Sequence, residues 1–292
     1  MSKIIRCITT DGAIMASAID STDIVYAAQR VHKTTPVATA ALGRLLTASS
    51  MMGAMLKQKE AGLTLRMNGG GPIGAVIAVA DSTGNCRGYV ENPAVEVENY
   101  PNGKLNVSGA VGTNGLLNVM KDYGTGEPYI GQTQIVSGEI AEDITNYYAT
   151  SEQIPTVCAL GVLTDKKDGS LLLSGGLLIQ LLPGADESSI SRLEENIAKL
   201  EPVTTMLAKG FDAEQMCRIA LENFEIEVLD SFDVAYTCNC SKERVERAIK
   251  LLSTEEILSL ANENGVAEAK CHFCDRVFQF SKDELRAISE EK

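Results

Sequence analysis

The chain has 292 residues, 45% hydrophobic and 22% charged, enough for roughly two globular domains with a sizeable core. A formal net charge of -13 argues against non-specific nucleic-acid binding and against docking on an anionic membrane. His32 and His272 are the only histidines, which leaves no credible Ser-His-Asp or Cys-His nucleophile set.

At the N-terminus, "MSKIIRCITTDGA" starts basic, but polar residues arrive before any apolar run of secretory length. The expectation is a cytoplasmic protein, in which standing disulfides are rare. "IIRCITTDGAIMASAID" reads as two strands around an Asp11-Gly12 turn. Residues 21–31 and 34–57 read as helices. The second, "TPVATAALGRLLTASSMMGAMLKQKE", is the best membrane-span candidate, but Arg44 and several Ser and Thr residues interrupt it. It reads as a buried helix whose small side chains allow close backbone approach. His32, just after the first helix, reads as a surface or capping residue.

"LTLRMNGGGPIGAVIAVADSTGNCRGYVEN" alternates and then turns at glycines, as a β-meander does. Residues 69–74, "GGGPIG", match G-x-G-x-x-G, but a dinucleotide site needs a helix after the motif and "AVIAVADSTG" is strand-like. "KLNVSGAVGTNGLLNVMKDYG" and "YIGQTQIVSGEI" continue the strand pattern. "AEDITNYYATSEQIP" breaks it with a helix. "TVCALGVLTDKKDGSLLLSGGLLIQLLPGA" predicts a hairpin at Asp168-Gly169. Residues 1–182 are therefore expected to form an α+β core domain with a mostly antiparallel β-sheet.

After Pro183-Gly184 the pattern turns helical. Leu193, Ile197 and Leu200 form one apolar stripe, extended by Val203, Met206 and Leu207, with a charged opposite face. Residues 183–230 read as an amphipathic helical linker. Its stripe is either plain packing surface or an apolar face that can be uncovered to hold other proteins.

Residues 231–292 read as a small module. "SKERVERAIKLL" predicts a helix with Ser241 as N-cap, and Ser253/Glu256 and Ser281/Glu284 have capping-box spacing. "GVAEAKCHFCDRVFQFS" predicts two strands with Cys271 and Cys274 at their turn.

Of eight cysteines, Cys7, Cys86, Cys158 and Cys217 are scattered and read as small buried hydrophobes or inert thiols. Cys238, Cys240, Cys271 and Cys274 come in two pairs. Four thiolates suit a tetrahedral Zn2+, one per chain, and complete its shell without His272. A module this small buries little core and needs such a staple. The same thiolates are oxidisable. Lys242, Arg244, Lys270, Arg276 and the helix start after Cys240 favour the thiolate form. From spacing, both a static zinc staple and a metal-releasing redox switch stand. A thiol oxidoreductase is a third reading, although its Cys-X-X-Cys ordinarily opens a helix rather than a turn beside a second pair. A nucleic-acid zinc ribbon is a fourth, but it calls for a basic, aromatic surface, whereas this segment is mixed in charge and the chain has no Trp.

The sequence resembles the redox-regulated heat-shock chaperones of the HslO family. "CNCSKERVERAIKLLSTEEI" and "CHFCDRVFQFSKDEL" carry the resemblance, with "YYATSEQIPT", "GGLLIQLLPGA" and "NGGGPIGAV" extending it along the chain. The resemblance implies a non-enzymatic, ATP-independent holdase. In the reduced state the four cysteines hold zinc and the protein is a poor chaperone. Under oxidative stress, disulfides pair Cys238 with Cys240 and Cys271 with Cys274, and zinc is released. The module and linker then lose structure, and a homodimer binds unfolded client proteins and passes them to ATP-dependent folding chaperones. Neither nucleic acid nor membrane is an implied partner. Asp275 departs from the Asn or Gly more usual after the second pair, and the four scattered cysteines lie outside the shared motifs.

Overall fold

Strands β1 (Ser2–Thr9) and β2 (Ile14–Asp20) form the expected hairpin, and Gly12 supplies the positive φ of +72° at its turn. The Asp11 carboxylate accepts from the Thr9 hydroxyl at 2.5 Å and the Ala13 N–H at 2.9 Å, which fixes the bend. A computed structural model describes residues 1–262 and 264–290, which divide into two compact units, the first 1–237 and the second from Cys238 on.

The first unit is built on two antiparallel sheets. β8 (Thr156–Thr164), β9 (Leu171–Leu181) and β10 (Ile226–Val234) join the first hairpin in the order β10-β1-β2-β9-β8. β3 (Gly62–Asn68), β4 (Val76–Asp81), β5 (Cys86–Val90), β6 (Leu116–Asp122) and β7 (Tyr129–Gln134) form the second, ordered β5-β4-β3-β6-β7. Helix α1 (Thr22–His32) precedes α2 (Pro36–Gly53), which packs against β3, β4 and β5 of one sheet and β8 and β9 of the other. α2 is buried on nearly every side: Ala38, Ala41, Leu45, Ala48 and Met51 have no exposed surface, and Thr39, Thr47, Ser49 and Ser50 are buried with them. Among the described residues no helix is long and apolar enough to cross a membrane.

Three features differ from the sequence expectations. Residues 107–111 form a short helix α3 (Val107–Val111) inside a stretch read as strands, started by the Asn106 side chain accepting from Gly109 N–H at 2.7 Å. The helix predicted from "AEDITNYYATSEQIP" is α4 (Ala141–Tyr147), continued by a turn of π-helix over Tyr148–Glu152. β10 pairs with β1 from Thr9↔Ile226 to Ser2↔Val234, so the boundary suggested at 230/231 falls inside one strand. Acidic residues along this edge strand, Glu227 and Asp233 at exposed positions and Asp230 at a half-buried one, hide its apolar alternation.

The glycines of "GGGPIG" serve packing. The loop leads into β4, not a helix. A side chain at Gly69 would place Cβ 2.0 Å from the Gly112 carbonyl oxygen, and one at Gly71 would place it 2.3 Å from that of Ala110. The loop therefore lies backbone to backbone against the end of α3.

The segment read as a linker lies on the outer face of the first sheet. It contains α5 (Glu187–Lys199), α6 (Val203–Ala208) and α7 (Ala213–Ala220). α6 packs on β8 and β9, α7 on β1 and β2, and α5 on α7. Leu193, Met206 and Met216 are buried in one cluster with Ile5, Ala16 and Ile179, and Ile197 and Leu200 are half-buried against it.

The second unit contains α8 (Lys242–Ile249), α9 (Thr254–Ser259), the hairpin β11 (Val266–Lys270) and β12 (Val277–Ser281), and α10 (Lys282–Glu290). The predicted caps form: Ser241 accepts from Arg244 N–H, and Ser253 with Glu256 closes a capping box. Ser281 and Glu284 do the same for α10, through bonds of 2.8 and 3.2 Å. Among the described residues here, six apolar side chains are buried: Ile249, Ile257, Ala267, Phe280, Leu285 and Ile288.

Candidate metal centre

The β11–β12 hairpin carries half of the centre. Cys271 and Cys274 lie in its turn, closed by Cys271 N–H donating to the Arg276 carbonyl and Asp275 N–H to the Cys271 carbonyl, both at 2.9 Å. Asp275 takes φ +60°, the left-handed conformation that Asn, Asp and Gly tolerate best. That conformation accounts for the residue types expected there and for the acceptance of Asp. Cys238 and Cys240 sit in the irregular segment before α8, whose N-cap follows at Ser241.

The four sulfurs, far apart in sequence, lie within 4.8 Å of one another. Cys238 Sγ is 3.7 Å from Cys271 Sγ, and Cys240 Sγ is 3.3 Å from Cys274 Sγ. Sulfurs bound to one tetrahedral Zn2+ at about 2.3 Å stand roughly 3.8 Å apart, so this spacing fits. All four thiols are free and half-buried. His272 is exposed and is not part of the cluster.

Their acidities reflect crowding. Burial, followed by contact with the Cys274, Cys238 and Cys271 thiols, pushes Cys240 up to about 12. Cys238 is also raised, mainly by burial. Cys271 is lowered: burial opposes its ionisation but is outweighed by the backbone N–H groups of Phe273 and Cys274 and by the neighbouring thiols. Four thiols so close cannot all ionise unless a cation sits among them, and a soft divalent ion is the partner such a donor set selects. The basic neighbours contribute less than the sequence suggests. Lys242 pairs with Glu284 at 2.5 Å and lies over the Phe280 ring, and Lys270 pairs with Asp275 at 3.0 Å. Cys240 is raised although it precedes the helix start, with burial the largest cause.

The other candidates are placed as follows. Leu193, Ile197 and Leu200 belong to the covered face of the first unit. His32 ends α1 with its Nε2 3.0 Å from the Tyr236 hydroxyl. Cys86 is fully buried, and burial raises its thiol to about 12. The sequence reading missed the role of Asp275, whose signal was its departure from Asn or Gly after a Cys-X-X-Cys turn.

The protein-family model described as Hsp33 protein matches residues 2–281. The chain belongs to the Hsp33 family. Family relatives named 33 kDa chaperonin include one from Clostridioides difficile, 47% identical over 99% of this chain and 98% of its own length. One from Acetivibrio thermocellus is 47% identical over 97% of this chain and 95% of its own. One from Bacillus licheniformis is 45% identical over the full length of both. The crystal structure of the 33 kDa chaperonin, heat shock protein 33 homologue, of Thermotoga maritima superposes with a TM-score of 0.89 at 29% identity, covering 99% of this chain and 98% of that one. Hsp33 membership and these names support a chaperone, not an enzyme, and a chaperone family implies unfolded proteins as clients. The four-cysteine cluster could hold a metal ion and is consistent with zinc and with redox-active thiols.

Proposed function

We propose that this protein is an ATP-independent holdase switched on by oxidation of Cys238, Cys240, Cys271 and Cys274, which in the reduced state hold one Zn2+ per chain. The observation that carries the proposal is the four-sulfur cluster, gathered in a unit whose described residues bury six apolar side chains. When bound, zinc would supply a soft-ion crosslink between the segment before α8 and the β11–β12 turn. Such a link is worth about 10–16 kcal/mol of apparent folding free energy in small finger peptides, against about 5–15 kcal/mol for the stability of a whole domain. Loss of the thiolates therefore unfolds the unit.

The disulfides proposed on family resemblance are Cys238 with Cys240 and Cys271 with Cys274. Each forms from two thiols and one peroxide, with two electrons passing to the O–O bond and two waters leaving. Every sulfur pair starts within 4.8 Å, so these bonds need only local rearrangement. The tight Cys-X-Cys ring is readily reduced, which suits a reversible signal. In this reading the unit that starts at Cys238 is the switch module, and α5, α6 and α7 form the linker that responds. Leu193, Ile197 and Leu200 become available to unfolding clients once their helices lift. A homodimer as the active form, transfer of clients to ATP-dependent folding chaperones and a cytoplasmic location complete the proposal.

The test pairs zinc content with protection of thermally aggregating citrate synthase, before and after peroxide at mildly raised temperature. Zinc loss together with a gain of protection is expected. Zinc retained, or lost with no gain, rejects the switch.

A further inference from the structure

The three residues ahead of Cys238 are tied to the first unit through both main chain and side chain. β10 ends at Val234, paired with β1 at the edge of the first sheet. The chain then crosses to β5, the edge of the second sheet, and pairs with it in parallel at one position, Cys86 with Tyr236. Cys86 N–H donates to the Ala235 carbonyl at 3.1 Å, and Thr237 N–H donates to the Cys86 carbonyl at 2.9 Å. The Asn85 side chain accepts from Ala235 N–H at 3.0 Å.

Tyr236 adds the side-chain half. Its hydroxyl donates to the Gly88 carbonyl at 2.8 Å, and the same oxygen accepts from His32 Nε2 at 3.0 Å. One hydroxyl thus joins this segment to β5 and to the end of α1. Phe232, Val234 and Tyr236 pack on the core around α2. Every partner lies within residues 1–237, so none of these bonds needs the metal centre. The rest of β10 is held less firmly. It is an edge strand laid on β1 alone, and Val228 and Leu229 are 38% and 44% exposed. Such a strand frays from the end that joins unfolded polypeptide.

We propose that Ala235–Thr237, with Asn85, Gly88 and His32, is a clip that halts loss of structure at Thr237. When the second unit loses its crosslink, unfolding runs back along the chain and stops at these bonds. β10 then stays on β1. Helices α5, α6 and α7 lie between β9 and β10 in the chain, so they stay tethered at both ends. The consequence for activity rests on the proposed switch. There, the helices lift to uncover Leu193 only once the clip has opened as well. Tyr236 and Asn85 therefore set the temperature at which the oxidised chain begins to hold clients.

The experiment removes the crosslink without redox chemistry, in the full chain carrying Cys238→Ser, Cys240→Ser, Cys271→Ser and Cys274→Ser. Hydrogen exchange is then followed by mass spectrometry. We expect α8, β11 and β12 to exchange as unfolded chain, while β10 keeps the protection it has in the zinc-loaded wild type within about twofold. Adding Tyr236→Phe and Asn85→Ala to the four-serine chain should speed β10 exchange about tenfold or more. The same two substitutions in the zinc-loaded wild type should speed it less than about threefold. Loss of β10 together with α8 in the four-serine chain would overturn the clip. Equal acceleration in both backgrounds would also overturn it, since that is the mark of ordinary packing residues. A protected α8 in the four-serine chain would count against the metal-held module itself, and the clip would fall with it. On the oxidised protein, Tyr236→Phe with Asn85→Ala should lower the onset of citrate synthase protection by about 3 °C or more. An unchanged onset would remove the clip from control of holding. No protection by the oxidised wild type at any temperature would count against the holdase alone.

Discussion

The Lys270 ammonium lies 3.0 Å from the Asp275 carboxylate, and Asp275 holds φ +60° directly after Cys274. The pair spans the turn that presents two of the four sulfurs. Its side chains are 60% and 42% exposed, so the ion pair is worth at most about 1 kcal/mol. The backbone conformation is the stronger constraint. Asp275→Val should therefore destabilise the metal-bound unit by about 1–3 kcal/mol. Asp275→Gly should be within about 0.5 kcal/mol of wild type and Lys270→Ala within about 1. Hydrogen exchange of the β11 and β12 amides reads all three. A Lys270→Ala cost equal to that of Asp275→Val would make the ion pair the determinant instead.

Cys271 belongs to the four-sulfur cluster, 3.7 Å from Cys238 Sγ. Cys271→Ser should lower zinc affinity by more than about a hundredfold under reducing conditions and loosen residues 238–290. Competition with a chromophoric chelator measures this. Undiminished zinc content would remove Cys271 from the ligand set.

Acid should weaken the first unit through Glu139. Burial opposes its ionisation but is outweighed by Arg44, the Ser108 N–H and the Tyr100 hydroxyl, which together hold its carboxyl below the ordinary 4.5. A depressed folded pKa gives stability that is complete above pH 4.5 and is lost as pH falls through the folded value. Glu139→Gln should cost about 1–3 kcal/mol at pH 7, because Arg44 is left half-buried and unpaired. The difference should shrink below pH 4.5. Chemical denaturation at several pH values tests the sign, and a gap that widens in acid would contradict it.

Leu193 is 5% exposed, packed among the side chains under α5 and α7. Leu193→Ala should cost about 2–5 kcal/mol locally. If lifting this segment exposes the client-holding face, the variant should slow citrate synthase aggregation even when reduced. Normal reduced-state inactivity together with a measured loss of helix stability would exclude the stripe from that role.

Much of the four-cysteine candidate site was legible because its signals are local. The Cys-X-Cys and Cys-X-X-Cys pairs, the Ser253–Glu256 and Ser281–Glu284 capping boxes and the alternation on either side of Cys271 are each settled within a few residues of chain. The short α3 was hidden because Val107–Val111 is strand-like in composition and depends on the Asn106 cap and on glycine-mediated contact with a distant loop. The thiol acidities also could not be read from neighbours in sequence. Lys242 and Lys270 are adjacent to the cysteines but are engaged by Glu284 and Asp275.

The sequence by itself determined the α+β class, the hairpins, the helix caps and the four-thiol motif, because periodicity and capping act over one or two turns of chain. Only the tertiary structure decided that 226–234 closes the sheet on β1 and that the helices of 187–220 cover its outer face. These depend on which surfaces bury each other across some 200 residues, where apolar area counts and sequence distance does not.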